Sequence, residues 1–183
     1  LGYEDRAPTR DELERMKHRV RQAMEEGALG VGSSLIYAPA FYASTDELIA
    51  LAGAAAPYGG MYISHIRGGG AGILGALEEF LKIARTANGP AEIYHLKVAG
   101  RANWPLADSV FARIERARAV GGAITADMYT YTAAATGLDA AMPPWVQEGG
   151  FDAWSKRLRD PAVRQRVARE MSEAPKGWEN LYY

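Results

Sequence analysis

The chain has 183 residues, 48% hydrophobic and 23% charged, with a formal net charge of -1, which is enough for one domain with a real core and too balanced to attract nucleic acid or an anionic membrane surface. It has no cysteine, which excludes disulfides, thiolate metal sites and a cysteine nucleophile. No apolar run reaches the roughly 18 residues of a transmembrane helix, residues 1–6 carry no signal-peptide pattern, and the expected location is cytoplasmic.

Thr9 and Glu12 form a capping-box pattern that opens a helix, whose apolar face is Leu13, Met16, Val20 and Met24 and whose stop is Gly27. Residues 28–37 read as a first strand. Ser44 to Glu47 open a second helix through Ala56. Gly59 and Gly60 turn into a strand ending at His65. Gly68–Gly70 lead to a helix through about Thr86, with Ile73, Leu77, Phe80, Leu81 and Ala84 on one face. Asn88, Gly89 and Pro90 turn into a strand ending at His95. A loop from Gly100 to Pro105 precedes a helix through about Val120, and Gly121 and Gly122 turn into a last strand over residues 123–129.

Strand starts thus recur near residues 29, 61, 91 and 123, the spacing of strand–helix units with parallel strands. The fold class is α/β: about four parallel βα units, either half of a (β/α)₈ barrel, which takes about 250 residues when complete, or an open four-stranded sheet. The rhythm stops after Tyr131. Pro143 and Pro144 break it, and two short helices are predicted over residues 151–158 and 162–171, with Asp160 as cap and Pro161 in the first turn. We therefore divide the chain into a barrel-like part, 1–135, and a small, mainly helical segment, 136–183. Its start at Leu1 and its stop at Tyr183 read as cuts from something longer.

His65 and His95 are the most specific signal. Two of only three histidines stand at equivalent ends of neighbouring strands, where α/β folds gather their chemistry. As neutral imidazoles they suit zinc; as a bland alternative they are hydrogen-bonded side chains at a pocket mouth. Arg67 and Lys97 each follow a histidine by two residues and share its face, as anchors for a carboxylate or oxyanion or as solvated cations. Asp127 either orients a histidine, binds metal or caps a turn. Tyr129 either donates to a substrate oxygen or packs. The run Gly68–Gly72 lacks the Lys-Ser/Thr of a phosphate-binding loop, and His18 sits among Lys17, Arg19 and Arg21 on a solvated helix face.

Several stretches carry a family resemblance: Gln22–Gly30 with Ser33–Tyr37, Tyr62–Arg67, Tyr94–Trp104, Ala126–Ala133 and Thr136–Trp145. The most specific are the run from His95 through Lys97 to Gly100 and the Asp127-x-Tyr129-x-Tyr131 pattern. In these the chain resembles the N-acyl-D-amino-acid deacylases (D-aminoacylases) of the amidohydrolase superfamily. The resemblance implies a metal-bearing TIM barrel that hydrolyses the amide of an N-acyl-D-amino acid. It implies zinc held by His65 and His95, and a substrate carboxylate faced by Arg67, Lys97 and Tyr129. It also implies that this chain is the middle of such an enzyme, barrel strands four to seven and then an insertion. The N-terminal His-x-His, the bridging cysteine and the catalytic aspartate of that family are absent, and the aspartate is expected downstream. Gly68–Gly70 replace the acidic residue expected after the His-x-Arg element, and Tyr129-Thr130-Tyr131 replaces Tyr-Pro-Tyr.

The expectation is a deacylase fragment, inactive alone and weak or empty in zinc, with no nucleic-acid or membrane partner, that self-associates through exposed barrel edges. The alternative is a non-catalytic α/β scaffold domain that holds an acidic small molecule or a protein partner.

Overall fold

A computed structural model of the chain describes residues 1–131, 134–173 and 181–182; the predicted helical segment 136–183 therefore lies partly outside the described residues. Helix α1 (Arg10–Glu25) starts at the expected capping box: Glu12 N–H donates to Thr9 Oγ1, and Thr9 N–H to the Glu12 carboxylate. Strand β1 (Gly30–Ser34) follows, then α2 (Thr45–Ala55), capped by Ser44 Oγ accepting from Glu47 N–H. Next come β2 (Met61–His65), α3 (Ile73–Ala87), β3 (Ala91–Ile93), α4 (Ala107–Ala119) and β4 (Ile124–Ala126). The Gly100–Pro105 loop is a 3-10 turn over Arg101–Leu106.

The four strands pair in chain order and all in parallel, β1-β2-β3-β4, with Ser34 opposite His65, Ser64 opposite Ile93, and Ile93 opposite Ala126. Side chains alternate across a strand. Val31, Tyr62, Ala91, Ile93 and Ile124 face the helices, where they pack with Leu48 and Ala52 of α2, with Ile73, Leu77, Phe80 and Ile83 of α3, and with Val110 and Ile114 of α4. Tyr62 stacks on Phe80 with centroids 5.7 Å apart. Its hydroxyl lies 2.8 Å from Ser33 Oγ, which donates in turn to the buried Ser64 hydroxyl at 2.9 Å. Burying these hydroxyls is tolerable because each has a partner.

Gly30, Gly32, Met61, Ile63, Glu92 and Thr125 lie on the opposite face, and none belongs to the core. A doubly wound sheet reverses its strand order and covers both faces with helices. In-order winding with one helical layer is the geometry of a barrel, so the architecture is a partial (β/α) barrel of four units. All four strands end on one rim. Residues 34, 65, 93 and 126, and the loops that follow them, lie there.

After the barrel units, β5 (Ala134–Ala135) pairs in parallel with β6 (Leu181–Tyr182), a pairing the sequence pattern did not signal. Pro144 does not simply break the chain: it opens a one-turn helix, α5 (Pro144–Gln147), with proline in its first turn. Helices α6 (Phe151–Arg157) and α7 (Pro161–Glu173) follow, and Asp160 Oδ1 accepts from Ala162 N–H at 2.8 Å. Met142, Val146 and Val167, with Trp145, Trp154, Leu158, Val163 and Met171, form a second apolar cluster separate from the barrel core. Two tyrosines tie the parts together: Tyr37 Oη lies 2.7 Å from Thr136 Oγ1, and Tyr42 Oη donates to Pro144 O at 2.8 Å.

Gly30 is where β1 meets β2 most closely. A Cβ there would lie 1.9 Å from Met61 O, so Gly30→Ala is expected to push the strands apart and cost about 1–3 kcal/mol or more. Urea denaturation checks this, and Gly53→Ala serves as control, because a Cβ there meets nothing within 4 Å.

Candidate functional site

His65 is the last residue of β2, at the rim where the strands end. His95 is not its strand equivalent, contrary to the sequence reading. Strand β3 stops at Ile93, and His95 sits two residues on, in a turn, with φ +37°. A left-handed non-glycine residue is uncommon and costs about 1–3 kcal/mol. The two rings nevertheless meet edge to face, with centroids 4.5 Å apart. Tyr37, in the loop after β1, sets its ring edge-on to His65 at 6.1 Å, and Tyr94 stacks on His95 at 5.5 Å.

Lys97 Nζ lies 3.0 Å from His95 Nδ1 and donates to His95 O at 3.3 Å. It lies 6.0 Å from the centroid of the Tyr129 ring, which in turn stacks on Tyr131 at 5.0 Å and stands 6.3 Å from the His95 ring. Asp127 follows β4 and accepts the His95 backbone N–H on Oδ1. Lys97, Tyr129 and both histidines thus lie together at this rim.

Arg67 is bonded within the fold. Its Nε and Nη2 donate to the Glu79 carboxylate at 2.9 and 3.1 Å, Nη1 donates to Phe41 O at 2.6 Å, and Nη2 donates to Ala43 O at 2.8 Å. Glu79 also accepts from Thr45 Oγ1 at 2.8 Å. The guanidinium has only five N–H donors, and these bonds occupy most of them. Arg67 therefore ties the end of β2 to α3, to the start of α2 and to the 41–43 segment. That segment belongs to the loop that carries Tyr37 to the His65 ring. Nothing in the sequence named Glu79 as the partner, because the pairing spans 12 residues and two elements.

Electrostatics favour neutral imidazoles. Burial pushes the His65 pKa down to about 4, with the Lys97 charge and His95 adding to it. Burial first, then Lys97, lowers His95 as well, against an opposing pull from Asp127. Burial also lowers the Lys97 ammonium, and Asp127 opposes that shift. A ligand imidazole must be neutral, and both shifts run toward that form. The donor set is short, however. Among the described residues no group of three or more His, Cys, Asp or Glu is placed to hold a metal ion, whereas catalytic zinc takes three protein ligands. The described residues thus bring two imidazoles together, fewer groups than a catalytic zinc takes. No described helix is long and apolar enough to cross a membrane.

No family model matches the chain. Among curated proteins it is 35% identical over 131 residues to the D-aminoacylase of Alcaligenes xylosoxydans xylosoxydans, a match covering 72% of this chain and 27% of that protein. The crystal structure of a D-aminoacylase, described as defining a novel subset of amidohydrolases, superposes with a TM-score of 0.68 at 35% identity, over 71% of this chain and 27% of that one. N-acyl-D-glutamate deacylase from Bordetella bronchiseptica, complexed with zinc and a phosphonate mimic of the tetrahedral intermediate, gives 0.68 at 34% identity over 70% and 27%. The chain is homologous to a segment of the N-acyl-D-amino-acid deacylases and spans about a quarter of the length of the curated relatives it matches.

The low His65 pKa has a consequence for stability. In the unfolded chain histidine titrates near 6.5, and in the fold near 4, so between these values the unfolded chain binds more protons. The His65 contribution to stability is full above pH 6.5 and falls as pH drops through that window. Urea midpoints at pH 7 and pH 5 check this: the acid-side loss is expected to shrink in His65→Asn, and an unchanged loss would contradict it.

Proposed function

We propose that this chain is part of a metal-dependent hydrolase of N-acyl-D-amino acids. In it His65 and His95 are two of the metal ligands, and Lys97 and Tyr129 face the substrate carboxylate. The observation that carries this reading is the meeting of two neutral imidazoles on one rim, 4.5 Å apart, with an ammonium 3.0 Å from one of them. The relatives supply the chemical class, since they are named as deacylases of N-acyl-D-amino acids and one was crystallised with zinc. A scaffold domain without catalysis has no counterpart among them.

The chemistry a zinc ion would supply at this pair is polarisation of the acyl carbonyl and a lowered pKa for water. What the chain's own residues contribute is placement. Burial keeps both imidazoles unprotonated. The Lys97 ammonium and the Tyr129 hydroxyl present donors to an anionic group on the same side as the rings, where hydrogen bonds to a charge are strong. Arg67 we assign to holding the rim together, since Glu79, Phe41 and Ala43 occupy it. No further ligand joins the pair among the described residues.

Two outcomes are expected of the chain by itself. Calorimetric titration with zinc is expected to show binding weaker than about 1 μM, corresponding to less than about 8 kcal/mol, abolished in His65→Ala and in His95→Ala, with no hydrolysis of N-acetyl-D-amino acids. Binding of zinc that survives both substitutions would sink the assignment. Strands β1 and β4 each have one paired neighbour among the described strands, and open edges recruit further strands. Sedimentation is therefore expected to show concentration-dependent self-association, and a monomer at every concentration would contradict that part.

A further inference from the structure

Strand register sets a problem at His95 that the structure has to solve. Ser64 stands opposite Ile93, so an extended β3 would place Tyr94 beside His65. Partners in a parallel sheet share a face, and side chains alternate. A continued strand would therefore turn the His95 side chain toward the helices, with Ile93, and away from His65. The chain instead turns left-handed at His95, and the ring comes round to meet His65. A histidine holds that conformation only where its surroundings fix it.

Asp127 supplies the fixing. Its Oδ1 accepts the His95 N–H, its main-chain oxygen accepts the Leu96 N–H at 2.8 Å, and its own N–H donates to Ile93 O at 3.2 Å. From the other side, Tyr94 N–H donates to Ser64 O at 2.9 Å. Three polar groups of one residue thus bracket the turn, and only one of them belongs to the side chain. The two backbone bonds extend the β3–β4 ladder and need no particular side chain at 127, since any residue but proline carries both groups. The carboxylate bond is the one that reaches the left-handed residue itself.

We propose that Asp127 is a positioning residue: its carboxylate locks the left-handed turn at His95 and so aims the His95 ring at His65, without being a metal ligand. This rests on the reading of the two histidines as the metal-holding pair. It separates three roles that the sequence left open for Asp127, namely turn cap, histidine orienter and ligand, and it chooses the second, exerted through the main chain rather than the ring.

The substitutions divide these roles because asparagine keeps an acceptor oxygen in the same place and loses the charge. In metal-free, ¹⁵N-labelled chain, the His95 amide proton is expected far downfield and slow to exchange, with through-space contacts between the two imidazole rings. Asp127→Ala is expected to move that amide upfield, speed its exchange and remove the ring contacts, with circular dichroism unchanged because Asp127 is exposed. Asp127→Asn is expected to keep both signals. In zinc chloride titrations, Asp127→Ala is expected to lose about 10–100-fold in affinity and Asp127→Asn to stay within about threefold of the parent, the behaviour of an outer residue that orients a ligand. An unmoved His95 amide in Asp127→Ala overturns the proposal, and so does an Asp127→Asn chain that binds zinc as poorly as Asp127→Ala. The zinc comparison applies where the parent chain binds zinc; where it does not, the metal-free resonances decide the proposal, and the absence of binding falls on the metal reading and not on this one.

Discussion

The parallel pairing of β2 with β3, with Ser64 opposite Ile93, determines what the rim can hold. It brings the end of β2 and the turn after β3 within a strand spacing of each other, about 4.8 Å, and two imidazoles carried there must either meet or turn apart. The core behind them makes the register hard to change. Tyr62, Ile93 and Phe80 are buried on the helix side, and a slip of one residue would exchange the strand residues among them for Ile63 and Glu92. Packing on one face of the sheet thus sets geometry at its edge, which is how a barrel separates stability from chemistry.

The rim is also where the fold accepts strain and desolvation. A histidine sits at positive φ, an ammonium lies beside an imidazole, and burial shifts both histidines and Lys97 toward their neutral forms. Such groups cluster at functional sites because the surrounding structure over-determines them. Around them, the Arg67–Glu79 pair and the Tyr37–Thr136 and Tyr42–Pro144 contacts brace the loop after β1. Charged hydrogen bonds to carbonyls are strong where partly shielded from water, so Arg67 has more to gain from fixed backbone acceptors than from a transient anion.

Much of this is legible in the amino-acid letters. Capping signals at Thr9, Ser44 and Asp160 and paired glycines before strands locate most elements, because caps and turns are local chemistry. The period of about thirty residues reflects the size of a strand–helix unit. Position at strand ends singles out the residues of the mouth (His65, His95, Lys97 and Tyr129). The illegible part depends on the third dimension. Strand ends are overestimated from sequence, since Tyr94, His95 and Leu96 continue the strand pattern past Ile93 where the backbone has already turned, and β4 ends at Ala126 although strand-forming letters follow. The two-residue spacing that places Arg67 beside the histidine says nothing of Glu79, which arrives from another helix. Tyr37 lies within reach of the same positional logic, because the loop after β1 opens onto the same rim as those after β2 and β3. Asp127 stands out by its place after β4, but its target, a backbone amide, leaves no mark in sequence.

The most direct measurement tracks the ring nitrogens of ¹⁵N-histidine through a zinc titration of the chain. If the two imidazoles open into one mouth, the resonances of His65 and His95 shift together along a single saturation curve while His18, on α1, stays still. Rings that respond at different zinc concentrations, or a response from one of the pair alone, would contradict the shared site.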